Sequence, residues 1–124
     1  MIEELNSTVW AALAPSKVHG IGVHAVRDIP KGQRVYCMGN TGKWFVAKNW
    51  EGLHPSILAI IKERWPLAFE GQPFQSPNDD QRLTSFLNHN YTPNYVKHTD
   101  CALEDIKAGE EIFEDYRPEV DVDF

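Results

Sequence analysis

Apolar and polar positions along the chain change period several times, and each change predicts an element. Thr8-Val9-Trp10-Ala11-Ala12-Leu13 is a short apolar stretch, interrupted by Pro15 and the Gly20-Ile21-Gly22 turn. Val23 to Val26 reads as a second strand, closed by the tight-turn sequence Asp28-Ile29-Pro30-Lys31-Gly32. Arg34 to Met38 and Lys43 to Ala47 are further strand candidates, and Gly39-Asn40-Thr41-Gly42 between them suits a hairpin loop. Between His54 and Trp65 the period becomes helical, since Ile57, Leu58, Ile61 and Trp65 share one face. Pro55 suits the first helical turn, and Pro66 forbids continuation past Trp65. Residues 66–80, with four prolines and glycines, look loop-like, and Arg82 to Leu87 suits one helical turn. Tyr95 to His98 and Cys101 to Glu104 form a hairpin around Thr99-Asp100, and Glu111 to Glu114 follows as a last strand. Short strands around one helix predict a mostly β fold of the β-rich α+β class.

The length of 124 residues suits a single domain, and an apolar content of 42% is that of a globular chain. The apolar runs Val9 to Ala14 and Ile57 to Ile61 are far short of the roughly 20 residues a membrane span needs. The acidic start, Met1-Ile2-Glu3-Glu4-Leu5, has no apolar stretch of the secretory type, so an intracellular domain is expected. Cys37 and Cys101 are too few for a disulfide framework or a cysteine-rich zinc site. Charge is uneven. Ten of the eighteen acids lie in residues 100–124, against only Lys107 and Arg117 there, so that region carries −8 and the remainder +2. Such an end repels phosphate backbones and attracts basic partners, so direct nucleic-acid binding is not expected.

Familiar catalytic constellations are missing. The chain has no phosphate-cradling Gly-rich loop, no dinucleotide fingerprint and no Gly-x-Ser-x-Gly elbow. His19, His24, His54, His89 and His98 are scattered without metal-ligand spacing, so no metal is expected. His24 lies in a predicted strand, where a hydrogen-bonded structural role is the simpler reading.

Three separated segments, in order, carry a specific pattern. They are Lys17-Val18-His19-Gly20-Ile21-Gly22-Val23-His24-Ala25 followed by Asp28-Ile29-Pro30-Lys31-Gly32, then Phe86-Leu87-Asn88-His89-Asn90-Tyr91-Thr92-Pro93-Asn94, then Ala102-Leu103-Glu104-Asp105-Ile106-Lys107-Ala108-Gly109-Glu110-Glu111-Ile112 ending in Asp115-Tyr116. Together they resemble the SET-domain family of protein lysine methyltransferases, in the manner of a small stand-alone SET domain. The resemblance covers about residues 8–117, with a variable insert at about 39–80 and a short acidic tail at 118–124. It implies several small sheets, a threaded knot-like crossing and one short helix in the insert.

The resemblance also implies a cofactor, S-adenosyl-L-methionine, left as S-adenosyl-L-homocysteine, and a site. Gly20, Ile21 and Gly22 would approach the cofactor through backbone, which glycine permits; taken alone, the same residues make an ordinary β-turn. Asn88 and His89 would contact it with amide and imidazole groups. Tyr116 matches the catalytic tyrosine and would also border the cofactor. Pro93 and Asn94 have a structural reading beside the functional one. The substrate implied is a lysine side chain on a basic protein segment such as a histone-like tail, and the acidic end of this chain suits it.

Two positions depart from the family pattern. Tyr91 stands where a small residue is usual, so the rim of the substrate channel changes. Glu114 stands two residues before Tyr116, where an aromatic is common; a carboxylate facing the channel would favour a charged ammonium and oppose its deprotonation. Phe124 is the only aromatic beyond Tyr116, either a lid on the channel or a frayed end. These departures leave two expectations: a lysine methyltransferase, or a catalytically weak SET-fold module that binds a basic peptide.

Overall fold

The computed structural model describes residues 1–117. Helix α1 (Ile2–Thr8) precedes strands β1 (Ala11–Pro15) and β2 (Ile21–Ala25). Strand β3 (Trp44–Phe45), helix α2 (Pro55–Arg64), a 3-10 turn (Pro66–Glu70), β4 (Phe74–Gln75) and α3 (Pro77–Gln81) follow. A second 3-10 turn (Leu83–Phe86), β5 (Asn88–His89), β6 (Tyr95–Val96), β7 (Cys101–Ala102) and β8 (Glu111–Glu114) complete it. Three small sheets result: β1-β2-β8-β5, β3-β4 and β6-β7. This is the β-rich α+β architecture that the strand pattern predicts.

The four-stranded sheet is antiparallel except for β5, which lies parallel to β8 with Asn88 opposite Phe113 and His89 opposite Glu114. Its inner face carries Ala11, Val23, Ala25 and Ile112. They pack with Ile29, Val35, Leu83, Leu87, Tyr95 and Ile106 in one core. A second core joins Leu5 and Val9 to Phe45, Ile57, Ile61 and Phe74. Ile57 and Ile61, one helical turn apart, are fully buried. Helix α2 starts where the His54 ring accepts the Ser56 amide hydrogen at 3.1 Å and stops at Trp65, before Pro66.

Several elements differ from expectation, each for a physical reason. The stretch before Val9 is helix, with Leu5 buried and Glu3 and Glu4 in the first turn, where the helix dipole favours acids. Helices therefore number three among the described residues, rather than one in the insert. Residues 34–38 form no strand: Tyr36 has φ +59°, which ends extended backbone, and Arg34 makes only an isolated bridge to Cys101. The expected hairpin between 34–38 and 43–47 is absent, because β3 pairs with β4. Phe45 and Trp50 meet Phe74 at ring separations of 5.7 and 5.4 Å, so aromatic burial sets that pairing. Prolines 66 and 77 open helical turns instead of marking loop. Among the described residues, no helix is long and apolar enough to cross a membrane.

The β6–β7 turn is organised by Asp100, which is 4% exposed and has φ +59°. Its carboxylate accepts from Tyr95 Oη at 2.5 Å and from the Cys37 amide at 3.0 Å, with Arg34 Nε at 3.3 Å. Burial, reinforced by Asp100, pushes the Cys37 thiol from an ordinary 9.0 up to about 12. Burial and then the neighbouring Cys37 push the Tyr95 phenol up as well. Above pH 9 the unfolded chain loses protons that the folded chain keeps, so stability falls as pH rises from about 9 toward 12. Each group contributes at most about 1.4 kcal/mol per pH unit. Urea unfolding should show a midpoint that drops between pH 9 and 10.5, and Cys37→Ala should lose less across that interval. A parent midpoint unchanged at pH 10.5 contradicts this account.

Candidate functional site

The loop between β1 and β2 is built by one serine. Ser16 Oγ accepts the amide hydrogens of Val18 and His19 at 3.0 and 3.2 Å, and the Ser16 amide donates to the Gly20 carbonyl at 2.8 Å. Gly20 turns the chain at φ +49°, a conformation that a Cβ disfavours. The Ser16 hydroxyl in turn donates to Glu111 Oε1 at 2.6 Å. Asn88 Nδ2 then donates to the His19 carbonyl at 3.0 Å and to Glu111 Oε2 at 2.9 Å, with the Ile21 carbonyl at 3.5 Å. Glu111 thus joins the loop to β5, and His24 Nε2 lies 3.8 Å from the same carboxylate.

Gly22 is required by contact. A Cβ there would sit 2.5 Å from Glu111 Oε2 and 3.1 Å from Asn88 Nδ2. Because both groups are already fixed by hydrogen bonds, neither can withdraw cheaply.

The segment after β5 is bound to β8. The Asn90 amide donates to the Glu114 carbonyl at 2.9 Å. Asn94 Nδ2 donates to the Glu111 carbonyl at 2.9 Å, and its Oδ1 accepts the Phe113 amide hydrogen at 2.8 Å. Tyr116 emerges just past β8. Its amide donates to His89 Nδ1 at 2.9 Å, and its hydroxyl donates to the Leu87 carbonyl. Partial burial raises the Tyr116 pKa, and the charge of Glu114 adds to the rise. The phenol therefore stays protonated near neutrality and acts as a hydrogen-bonding group, not a base.

These segments meet at a cleft of about 480 Å³ lined by His19, Gly20, Ile21, Ser85, Phe86, Leu87, Asn88 and Tyr116. Of the residues singled out in the sequence, Gly20, Ile21, Asn88 and Tyr116 line it together. Gly22 and His89 stand behind it, one against Glu111 and the other under the Tyr116 amide. Tyr91 is 70% exposed, lies edge-on to the His89 ring and is not among the lining residues. Glu114 is 7% exposed, with Lys97 Nζ 4.0 Å from its carboxylate, so it does not point to solvent. Phe124 lies outside the described residues. Among the described residues no cluster of metal-ligating side chains occurs.

Sequence reasoning did not assign roles to Glu111, Ser16 or the Leu87 carbonyl. Glu111 sat in view within the Gly-Glu-Glu segment, and strand alternation separates it from buried Ile112 and Glu114. Its link to Ser16 spans 95 positions, which no local pattern encodes.

A family model described as SET domain matches residues 20–117. The chain belongs to the SET-domain family. Among solved structures, a chain of apo ctPRC2 with two substitutions in Ezh2 is 23% identical, with TM-score 0.45, and the match covers 89% of this chain and 15% of that one. A Plasmodium falciparum protein described as a candidate histone methyltransferase is 17% identical, with TM-score 0.41 and coverage of 88% and 94%. The SET domain here thus spans about a seventh of the length of the first of these. No curated protein matches the chain.

Gly22→Ala should cost about 1–3 kcal/mol in urea unfolding, the range for overpacking a fixed site. In a Glu111→Ala background the same change should cost far less, because the clashing carboxylate is gone. Equal costs in the two backgrounds would refute the close approach.

Proposed function

We propose that this SET domain transfers a methyl group from S-adenosyl-L-methionine to the side-chain amine of a lysine on a basic protein segment, such as a histone-like tail. The observation that carries this reading is the convergence of the Gly20-Ile21 loop, Asn88 and the Tyr116 phenol on one cleft. Its volume falls within the range of small-molecule sites. The chemistry of the lining suits the cofactor. Backbone of the Gly20-Ile21 loop and the Asn88 side chain offer hydrogen-bonding groups, while Phe86 and Tyr116 offer aromatic rings to a sulfonium. None of the described lining residues is a lysine or arginine that would repel that cation. Ile21, Phe86 and Leu87 give the apolar remainder of the wall.

When bound, the cofactor supplies an electrophilic methyl group on sulfur. The rest is done by position. A lysine amine must arrive uncharged, which costs about 4.6 kcal/mol at pH 7 against its ordinary pKa. Desolvation in a narrow channel lowers that cost. The Tyr116 hydroxyl donates to the Leu87 carbonyl, so the phenolic oxygen keeps lone pairs to receive an N–H of the incoming amine. That contact orients the nitrogen for in-line attack, and its proton leaves to water.

Ten acidic residues between 100 and 124 favour a lysine- and arginine-rich substrate over a phosphate backbone, and suit an intracellular setting that includes chromatin. The two family departures leave the cleft open. Tyr91 is not among the residues lining it, and buried Glu114 is engaged within the fold, which favours turnover over a binding-only module.

Incubation of the chain with the methyl donor and a broad set of basic proteins, followed by mass spectrometry, tests this reading. Lysine products heavier by about 14 Da, one methyl for a proton, are expected. Tyr116→Phe should slow transfer by about a hundredfold, near 2.7 kcal/mol, while cofactor affinity changes little. Cofactor binding without any methylated product across the set would instead assign the binding-only role.

A further inference from the structure

Tyr116 is the middle residue of a turn whose two neighbours are bonded to each other. The Arg117 amide donates to Asp115 Oδ1 at 3.0 Å, Arg117 Nε reaches both Asp115 oxygens at 3.0 Å, and Arg117 Nη2 donates to Oδ2. Those hydrogen bonds, side chain first and backbone second, hold the Asp115 carboxyl down at about 2, so the pair persists at every ordinary pH. The guanidinium lies 5.0 Å above the Tyr91 ring. Tyr91 in turn meets the His89 ring at 4.3 Å and 89°, and His89 lies 5.1 Å from the Tyr116 ring. Five side chains, those of Asp115, Arg117, Tyr91, His89 and Tyr116, therefore form a chain of contacts beside one backbone hydrogen bond, from the Tyr116 amide to His89 Nδ1.

That bond requires an imidazole with Nδ1 unprotonated and a ring turned to face the amide. The groups near the ring bear on its orientation. Asp115 Oδ1 lies 3.8 Å from Nδ1, beyond hydrogen-bond reach, and is itself an acceptor, so the amide is the donor that Nδ1 meets. Tyr91 lies across the ring, and Arg117 covers Tyr91 from outside. An exposed ion pair of this kind adds little to global stability, so its effect is geometric.

We propose that Tyr91 and Arg117 are positioning residues for Tyr116, acting through the orientation of the His89 ring. Tyr91, a departure from the family pattern, thereby has a role on the outer side of the turn instead of on the channel rim. The proposal rests on the reading of Tyr116 as the group that orients the substrate amine.

Hydrogen exchange at the Tyr116 amide, followed by NMR on the full chain, tests it without reference to activity. Tyr91→Ala and Arg117→Ala should each speed that exchange about tenfold while the amides of Val23 and Ile112 keep their protection. Tyr91→Phe, which retains the ring, should behave as the parent. In the transfer assay the two alanine variants should lower kcat about tenfold with KM for the methyl donor unchanged. Unchanged Tyr116 exchange in Tyr91→Ala, or equal impairment in Tyr91→Phe, would overturn the proposal. If the parent transfers no methyl group, the functional reading fails while the exchange measurement still decides this one.

Discussion

The Glu111 carboxylate is the point at which otherwise separate segments become one site. One oxygen takes the Ser16 hydroxyl and the other takes the Asn88 amide, while the group itself is nearly excluded from solvent. Hydrogen bonds to an ionised acceptor are the strong kind, and removing one from a shielded site leaves its partners unsatisfied. Ser16 orders the loop whose residues His19, Gly20 and Ile21 wall the cleft, and Asn88 ties two carbonyls of the same stretch to β5. Gly22 stays a glycine because that carboxylate fills the place of its Cβ. A sheet edge, a turn and a short parallel strand thus share one anion.

On the other side of the cleft the constraint is the pairing of β5 with β8. That pairing is short, two residues on each strand, and would be weak alone. Asn94 reinforces it by bonding the backbone of β8 at two places, which is the structural role open to it from its sequence context. Tyr116 leaves this pair with its amide and its hydroxyl both engaged, so the phenol is set before any ligand arrives.

The elements legible in the sequence were those whose signals are local. Ile57 and Ile61 with flanking prolines define α2, Thr99-Asp100 marks the β6–β7 turn, and the three motif segments announce the residues of the cleft. What escaped local reading depends on distant partners. Helix α1 is seven residues long and gains its stability by burying Leu5 against a core assembled from residues 45–74. Strand β3 seeks Phe74, thirty residues on, in preference to a nearby hairpin partner. Residues 34–38 have strand-like side chains, yet Tyr36 adopts a positive φ while the flanking Val35 and Cys37 amides are captured by Asp100. Motif spacing pointed to Gly20, Ile21, Asn88 and Tyr116, which line the cleft, and Glu111 lay within the same Gly-Glu-Glu segment, but its bonds to Ser16 and Asn88 join distant positions that no local pattern encodes.

The most direct test of the account is chemical-shift mapping by NMR during titration of the parent protein with S-adenosyl-L-methionine. Saturable shifts concentrated in the amides of residues 19–21, 85–88 and 116 are the predicted result. Absence of saturable binding, or shifts centred on the second core around Phe45 and Phe74, would contradict the assignment of the cleft.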